Sequence, residues 1–314
     1  MVWIVVCDSS NLFIYCYGFS VLEALKEITE VMTVLEAIQK SADFLGKKGV
    51  ESSRLQAELL LAHQLKMPRM KLYLNFDRVL TPAETDGLRE LVKRRAAREP
   101  LQHIVGSTSF CGLEISVSRS ALIPRPETEM LAELGWKFLS TINSEPSTCL
   151  DFGTGTGCIA IALAVKCPNA KVTALDISPD ALTLARQNAE QNKVAERIQF
   201  LPGDGFAALP ASAQFDLIVS NPPYIASAEI ETLDPEVKDF DPSTALDGGA
   251  DGLDFYRRLA KEAKAFLKSA GKIMMEFGDG QSSDITKIFA AEKWVVEAVQ
   301  EDYSQRARIL VARI

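Results

Sequence analysis

The sequence has few histidines, no closely paired cysteines and no long apolar run. Only 2 His occur among the 314 residues, and none of the 6 Cys belongs to a C-x-x-C pair, so we expect no metal site. No run of about 18 apolar residues is present, so we expect neither a membrane-spanning helix nor a membrane partner. Hydrophobic residues make up 47% of the chain, which excludes a wholly disordered protein.

Negative charge dominates the chain, but it is unevenly distributed. Residues 126–314 carry 18 Lys and Arg against 28 Asp and Glu, whereas residues 32–108 carry 13 against 9. Contact with a nucleic-acid backbone needs clustered cations, so the acidic part argues against direct nucleic-acid binding. The basic front part can meet an acidic partner surface.

Three of the cysteines, Cys149, Cys158 and Cys167, are equally spaced, and two of them fall in or beside apolar segments. Such residues are more typical of reduced structural thiols than of a redox site. The pattern therefore predicts a reducing, cytoplasmic location.

Residues 32–106 predict a small all-α bundle. The segment Thr33-Val34-Leu35-Glu36 has the T-x-x-E pattern of a capping box, and Thr81-Pro82-Ala83-Glu84 repeats it with proline at the first helical position. Residues 1–31 do not fit this pattern. Because the first box follows Met32 at once, we expect Met32 to be the true start and residues 1–31 to be an upstream extension.

Residues 107–125 predict a β-hairpin followed by a linker. Leu113, Ile115 and Val117 alternate with polar residues, and Gly112 lies between two candidate strands. The two prolines in Ile123-Pro124-Arg125-Pro126 restrict the backbone, which predicts an extended connection.

From residue 126 onward the sequence alternates between strand and helix patterns. Strands are predicted at 148–152, 171–175, 198–201, 215–219, 272–277, 294–299 and 307–312. Helices are predicted at 157–166, 179–192, 254–268 and 281–291. This alternation predicts an α/β domain over residues 126–314, with a mostly parallel, seven-stranded, Rossmann-like sheet covered on both faces.

A glycine-rich loop follows the first of these strands. It reads Asp151-Phe152-Gly153-Thr154-Gly155-Thr156-Gly157, and the next strand ends at Asp176. Ligands of open α/β sheets bind at the carboxyl ends of the strands, and a carboxylate there can accept both hydroxyl protons of a ribose. The G-x-G-x-G spacing differs from the G-x-G-x-x-G of dinucleotide enzymes. The loop therefore predicts a site for a nucleoside-containing ligand, and the alternative is a tight turn that binds no ligand. Asp204 follows a third strand. It can either contact an adenine amino group or belong to a loop without a ligand, and both interpretations stay open.

The segment Asn221-Pro222-Pro223-Tyr224 follows the strand at 215–219 and decides the interpretation. The prolines stiffen the backbone, their carbonyls and the Asn221 side-chain oxygen are acceptors, and Tyr224 adds an aromatic wall. This arrangement can hold a planar –NH2 group by both hydrogens. An amide nitrogen shares its lone pair with the carbonyl and is a poor nucleophile, so it gains from being held at about 3–3.5 Å from a methyl donor. The alternative is a proline-capped turn without a ligand.

Together these motifs resemble the HemK/PrmC-type protein-glutamine N5-methyltransferases, which methylate the Gln of the Gly-Gly-Gln motif in peptide chain release factors. The resemblance covers residues 32–314 and also rests on Ile123-Pro124-Arg125-Pro126-Glu127-Thr128-Glu129 and Asp241-Pro242-Ser243-Thr244-Ala245-Leu246-Asp247-Gly248-Gly249. It implies a class I methyltransferase domain that uses S-adenosylmethionine. It also implies that the front domain, residues 32–108, grips the release factor.

The resemblance further implies roles for individual residues. Asn221, Pro222 and Tyr224 would act in catalysis, and together with Pro223 they would hold the glutamine amide. Asp176 would bind the ribose hydroxyls. Some relatives have Trp after the residue equivalent to Asp204, where this chain has Gly205 and then Phe206, so either of these two can flank the adenine. The implied cofactor-binding set is Asp151, Gly153, Thr154, Gly155, Thr156, Gly157, Asp176, Asp204, Gly205, Phe206 and Asn221.

The expected function is therefore methyl transfer from S-adenosylmethionine to the glutamine N5 of a release factor, which would modulate translation termination. Asn-Pro-Pro-Tyr segments also occur in DNA-adenine and RNA-guanine methyltransferases, so methylation of an exocyclic amine of nucleic acid (adenine N6 or guanine N2) is the alternative. Such an enzyme usually needs a basic footprint and base flipping. A nucleotide-binding dehydrogenase or a non-catalytic adaptor is a third possibility. Nothing in the sequence requires more than a monomer.

Overall fold

The computed structural model describes the backbone of residues 4–8 and 11–15 and, with side chains, residues 32–142 and 146–314. The predicted extension over residues 1–31 therefore falls largely outside the described residues. Its described parts are two antiparallel strands, β1 (Ile4–Asp8) and β2 (Asn11–Tyr15). The chain divides into two compact units between Leu101 and Gln102.

The first unit contains the predicted helices. They are α1 (Val34–Lys47), α2 (Ser53–Gln64), α3 (Arg69–Tyr73) and α4 (Pro82–Ala96). Both capping boxes form: the Thr33 backbone N–H donates to Glu36 Oε2 at 2.8 Å, and the Thr81 N–H donates to Glu84 Oε2 at 2.9 Å. These bonds satisfy N–H groups that the first turn of a helix leaves without partners. The core of this unit is formed by buried apolar side chains from several helices, including Leu45, Leu60, Leu61 and Leu72.

Helix α5 (Leu101–Val105) begins at the division between the units, which lies before the boundary predicted at residue 106. The predicted hairpin follows as β3 (Ser107–Phe110) and β4 (Leu113–Ser116). Its two turn residues, Cys111 and Gly112, have φ values of 52° and 77°. A two-residue hairpin turn of this hand matches the twist of the strands, and glycine adopts it at no steric cost.

The second unit contains the predicted sheet. Its strands are β5 (Thr148–Phe152), β6 (Lys171–Asp176), β7 (Ile198–Pro202), β8 (Phe215–Ser220), β9 (Leu267–Glu276), β10 (Val295–Glu301) and β11 (Ala307–Arg313). The order is β10-β11-β9-β8-β5-β6-β7, with β11 antiparallel to both of its neighbours and the other pairs parallel. The mostly parallel seven-stranded sheet is therefore confirmed. The chain reverses its direction of winding between β5 and β8, and ligand crevices form at the carboxyl edge at such a point.

Helices cover both faces of the sheet. They are α6 (Pro126–Leu139), α7 (Cys158–Lys166), α8 (Pro179–Gln191), α10 (Asp254–Glu262) and α11 (Ser282–Ala291), and a short helix, α9 (Pro235–Lys238), lies in the connection between β8 and α10. Neighbouring strand residues alternate between two cores: Leu217 packs with α6 and α7, and Ile218 packs with α10 and α11. Among the described residues, no helix combines the length and the apolar character needed to span a membrane.

One predicted element is wrong in its extent. A helix over 254–268 was expected, but α10 ends at Glu262, a 3-10 turn follows over Ala263–Phe266, and β9 begins at Leu267. Ala263 and Leu267 are both buried, so the apolar pattern continues although the backbone changes. Leu267 pairs with Phe215 on β8, and this pairing takes the residue into the sheet.

The buried contact of α6 with the sheet gives a test of the fold. Leu131 on α6 is fully buried, so Leu131→Ala should lower the free energy of unfolding by about 2–5 kcal/mol through lost contacts and a cavity. Denaturant titration followed by circular dichroism measures this change. Tyr303, with 86% of its surface exposed, is the control; Tyr303→Ala should change stability by no more than about 0.5 kcal/mol. Equal stability of the two variants would contradict the packing of α6.

Candidate active site

Two adjoining cavities open at the carboxyl edge of the sheet. The first, of ≈ 170 Å³, lies beside the glycine-rich loop and the ends of β6 and β7. The second, of ≈ 510 Å³, lies beside the segment after β8 and the end of β9. We call the boundary between them the junction, and it is formed by residues that line both cavities: Leu122, Arg125, Asn221 and Ala245.

The glycine-rich loop forms one wall of the first cavity. Gly153, Gly155 and Gly157 have φ values of 75°, 55° and 81°, a region that other residues rarely adopt. Gly157 precedes α7 and lies against α8, where an added Cβ would be 3.0 Å from the Cβ of Ala185. Gly157 therefore allows the two helices to approach, while the cavity itself is lined by Gly153, Thr154, Gly155 and Thr156.

Asp151 lies behind this loop and does not line either cavity. It is fully buried, and its Oδ2 accepts hydrogen bonds from Thr154 Oγ1 at 2.6 Å and from the Ala160 N–H at 3.1 Å. Burial raises the pKa of the Asp151 carboxyl to about 7, against the opposing effect of these two bonds. Asp151 thus joins the loop to the first turn of α7.

Asp176 ends β6 and lines the first cavity. Its Oδ2 accepts from the Gly155 N–H at 2.8 Å, and its Oδ1 accepts from the Ser178 N–H at 2.9 Å. Each carboxylate oxygen can accept more than one hydrogen bond. The structure therefore brings the predicted carboxylate to the predicted loop, with acceptor capacity left for a ligand.

Asp204 and Gly205 also line the first cavity, together with Arg258 on α10. Arg258 Nη1 donates to Asp204 Oδ1 at 2.5 Å, and Nη2 donates to the Asp204 carbonyl at 2.8 Å. A side chain at position 205 would collide with this guanidinium. Sequence reasoning missed Arg258, because one arginine on a charged helix carries no signal of its contact with a loop 54 residues away.

Phe206 does not reach the cavity. It is 2% exposed and packs between Phe152 and Phe266, with ring centroids 5.0 Å and 5.2 Å away. Burial of its large apolar ring in the core beneath the loop explains this placement. Of the two residues expected to flank an adenine, the structure therefore brings Gly205 to the cavity and takes Phe206 away from it.

The Asn221-Pro222-Pro223-Tyr224 segment runs from one cavity to the other. Pro223 lines the first cavity, Pro222 and Tyr224 line the second, and Asn221 lines both. The preceding Ser220 donates its hydroxyl to the Phe152 carbonyl at 2.7 Å, which ties the ends of β8 and β5 together. Four residues predicted from one motif thus span the junction.

Asn221 is held by two residues that sequence reasoning did not single out. Asn221 Nδ2 donates to Thr128 Oγ1 at 3.0 Å, and Thr128 Oγ1 donates to Glu276 Oε2 at 2.7 Å. Glu276 ends β9 and is 3% exposed; burial raises the pKa of its carboxyl to about 7. Asn221 Oδ1 is buried and has no hydrogen-bond partner within the part of the chain that the structure describes. Asn221 therefore keeps one acceptor at the junction that no described residue uses.

An ion pair fixes the other side of the junction. Arg125 Nη2 donates to Asp241 Oδ2 at 2.8 Å, and Asp241 Oδ1 also accepts from the Ile123 N–H at 3.4 Å. Asp241 is buried, which raises its pKa, while Arg125 opposes that shift. The linker after the hairpin is in this way held to the loop that begins at Asp241, although the two are more than a hundred residues apart.

These contacts define what the arrangement can bind. The glycine-rich loop and Asp176 give the first cavity backbone amides and carboxylate acceptors, which suit a ribose-containing ligand. The unpartnered Asn221 Oδ1 and the proline carbonyls suit an amide –NH2 group. The residues present therefore fit a nucleoside-type donor and an amide acceptor that meet at the junction.

Comparison with known proteins agrees with this arrangement. Residues 36–106 match the family described as the PrmC N-terminal domain, and residues 135–234 match the methyltransferase small domain. The release factor glutamine methyltransferase of Geobacter sulfurreducens is 43% identical over 268 residues, which cover 85% of this chain and 91% of that protein. The one of Chlorobaculum tepidum is 38% identical over 285 residues, which cover 89% and 96%.

A solved structure agrees on the fold. The hMettl16 catalytic domain in complex with the MAT2A 3'UTR hairpin 1 aligns with a TM-score of 0.50 and 17% identity, over 76% of this chain and 83% of that one. At this identity the likeness concerns the fold alone. The assignment to a family rests on the relatives that share more than a third of their residues with this sequence along nearly its whole length. By that measure the chain belongs to the release factor glutamine methyltransferase family.

Proposed function

We propose that this chain transfers a methyl group from S-adenosylmethionine to the side-chain amide nitrogen, N5, of the glutamine in the Gly-Gly-Gln motif of a peptide chain release factor. Membership of the family supports the reaction class and the kind of substrate. The observation that carries the assignment to a site is the position of Asn221, which lines both cavities and keeps one unpartnered acceptor.

The first cavity is the proposed donor site. S-adenosylmethionine supplies a methyl group on a sulfonium, which is electrophilic without a metal. Gly153, Thr154, Gly155 and Thr156 would hold its methionine and ribose parts, and Asp176 would accept the ribose hydroxyls. Asp204 and Gly205 would border the adenine, with the Arg258 guanidinium beside them.

The second cavity is the proposed acceptor site. Asn221 Oδ1 and the carbonyl of Pro222 would accept the two hydrogens of the glutamine –NH2 group, and the Tyr224 ring would confine it. Acceptors at these hydrogens stabilise the positive charge that develops on nitrogen, and the rigid proline segment fixes its position. The nitrogen can release its proton to water after transfer, so the site needs no histidine base.

We further propose that the enzyme acts as a monomer in the cytoplasm and does not bind nucleic acid directly. Residues 126–314 carry 28 acidic residues against 18 basic ones, and this acidic character supports the absence of direct nucleic-acid binding. Cys111, Cys149, Cys158 and Cys167 are free thiols, which supports a reducing compartment.

The reaction can be tested with competing acceptors. A purified release factor, DNA and RNA are offered side by side with S-adenosylmethionine that carries a labelled methyl group. We expect the label on the release factor, and none when the glutamine of its Gly-Gly-Gln motif is replaced by alanine. Label on DNA or RNA, or undiminished labelling of the alanine variant, would contradict the proposal.

Asn221→Ala should separate catalysis from donor binding. Removing one hydrogen-bond partner of the developing charge should lower kcat by about 10²-fold or more. The Kd of S-adenosylmethionine, measured by isothermal titration calorimetry, should change by less than about threefold, because the lost acceptor serves the other substrate. A loss of donor affinity as large as the loss of kcat would assign Asn221 to the donor instead.

Asp176→Ala should have the opposite effect. Loss of a charged acceptor for the ribose hydroxyls should raise the Kd of S-adenosylmethionine by about 10- to 100-fold, since such bonds contribute about 1.5–3 kcal/mol. Asp180→Ala is the matched control: it removes the same charge from an exposed position at the start of α8. Equal donor affinities of the two variants would refute the ribose role of Asp176.

A further inference from the structure

We propose that Thr128 and Glu276 are positioning residues that fix the direction of the Asn221 amide, so that its oxygen and not its –NH2 group is presented to the glutamine. This inference rests on the proposed function, because it concerns the amide acceptor of the same reaction. It assigns a task to a buried carboxylate that does not line the donor cavity and that accepts a hydrogen bond from Thr128.

The three side chains form one hydrogen-bonded chain across three elements. Asn221 follows β8, Thr128 lies in the first turn of α6, and Glu276 is the last residue of β9. The distances along the chain are 3.0 Å from Asn221 Nδ2 to Thr128 Oγ1 and 2.7 Å from Thr128 Oγ1 to Glu276 Oε2. Thr128 is 3% exposed, so water does not compete freely for its hydroxyl.

The direction of this chain follows from the chemistry of its last member. An ionised carboxylate only accepts hydrogen bonds, and a threonine hydroxyl has a single hydrogen. When Glu276 is ionised, that hydrogen goes to Glu276, and Thr128 Oγ1 can then only accept from Asn221. An accepting Thr128 selects the –NH2 end of Asn221, so Oδ1 is left on the other side of the amide.

A reversed amide would be unproductive. It would turn a donor –NH2 toward the donor –NH2 of the glutamine, and neither group could satisfy the other. In solution the two orientations of an amide side chain have nearly the same free energy, so the protein must stabilise one of them. The Glu276 charge provides this preference through Thr128, because the hydrogen bond from Thr128 to an ionised carboxylate is stronger than a bond between neutral groups.

The ionisation of Glu276 couples this direction to pH. Burial raises its pKa to about 7, and the bonds from Thr128 and Asn221 oppose that shift. The charged and titratable groups around the carboxylate are Glu127 on α6, Arg308 on β11, Tyr224 and Tyr256. Below pH about 7 a protonated Glu276 becomes a donor toward Thr128, and the selection of one amide orientation is lost.

Conservative substitutions distinguish positioning from packing. Thr128→Val keeps the branched shape and removes the hydroxyl, so kcat should fall by about 10- to 100-fold while the Kd of S-adenosylmethionine stays within about threefold. Thr128→Ser keeps the hydroxyl and should restore kcat to within about threefold of the wild type. Thr141→Val, at an exposed position two residues after the end of α6, is the control and should leave both quantities unchanged.

The pH profile provides a second readout. In the wild type, kcat should rise with pH through about 7, as Glu276 ionises. Glu276→Gln should lower kcat and remove this acidic limb, because a glutamine can donate or accept toward Thr128 and carries no titrating charge. An acidic limb that persists unchanged in Glu276→Gln would overturn the role of Glu276.

An NMR measurement tests the inference without activity. The side-chain amide signals of Asn221, assigned by their loss in Asn221→Ala, should titrate with Glu276 in the wild type and stop doing so in Thr128→Val. If wild-type protein shows this titration but labels no release factor, the proposed function fails while the fixed amide stands. If the release factor is labelled but Thr128→Val has wild-type kcat and unchanged Asn221 signals, the inference is wrong.

Discussion

A primary amide presents opposite hydrogen-bonding chemistry at its two ends, and the proposed reaction depends on which end of Asn221 faces the substrate. Sheet register brings the controlling residues together. Ser220 on β8 is paired with Met275 on β9, so the next residues, Asn221 just after β8 and Glu276 at the end of β9, lie side by side. The start of α6 then inserts Thr128 between them. The buried chain of hydrogen bonds is thus a consequence of two parallel strands that end within one residue of each other.

The rest of the site is arranged by contacts of the same kind between distant segments. The partly exposed Arg125 pairs with the buried Asp241 and so holds the linker against the loop after α9, and Arg125 lines both cavities. Removing one member of such a pair leaves an uncompensated charge, which is costly even where the intact pair adds little stability. This explains why a proline-rich linker with no regular structure can keep a defined position at the junction.

Much of the fold and part of the site could be predicted, because both depend on local sequence. The strand and helix periods gave the seven strands, and the glycine-rich loop and Asn221-Pro222-Pro223-Tyr224 each lie directly after a strand. Glu276 and Arg258 depend on register and helix packing, which periodicity does not encode. A signal for Glu276 was nonetheless present: an acidic residue in the apolar strand segment Lys272-Ile273-Met274-Met275-Glu276-Phe277 is costly to bury, and such residues usually have a partner or a task. The expectation that Phe206 could flank the adenine did not anticipate its burial, because an aromatic side chain next to a ligand-binding loop can pack into the core as readily as into the cavity.

At the adenine end of the proposed donor site, the side chain of Arg258 lies where a side chain at position 205 would otherwise be. Gly205 has no side chain, and the Arg258 guanidinium occupies the volume that a side chain there would need. This position is not accidental packing, since Arg258 makes two hydrogen bonds to Asp204 that fix the plane of the group. A guanidinium is flat and stacks on aromatic rings, as an indole does. A donor bound as proposed would therefore have the Arg258 guanidinium of α10 beside its adenine, whereas Phe206 packs in the core between Phe152 and Phe266.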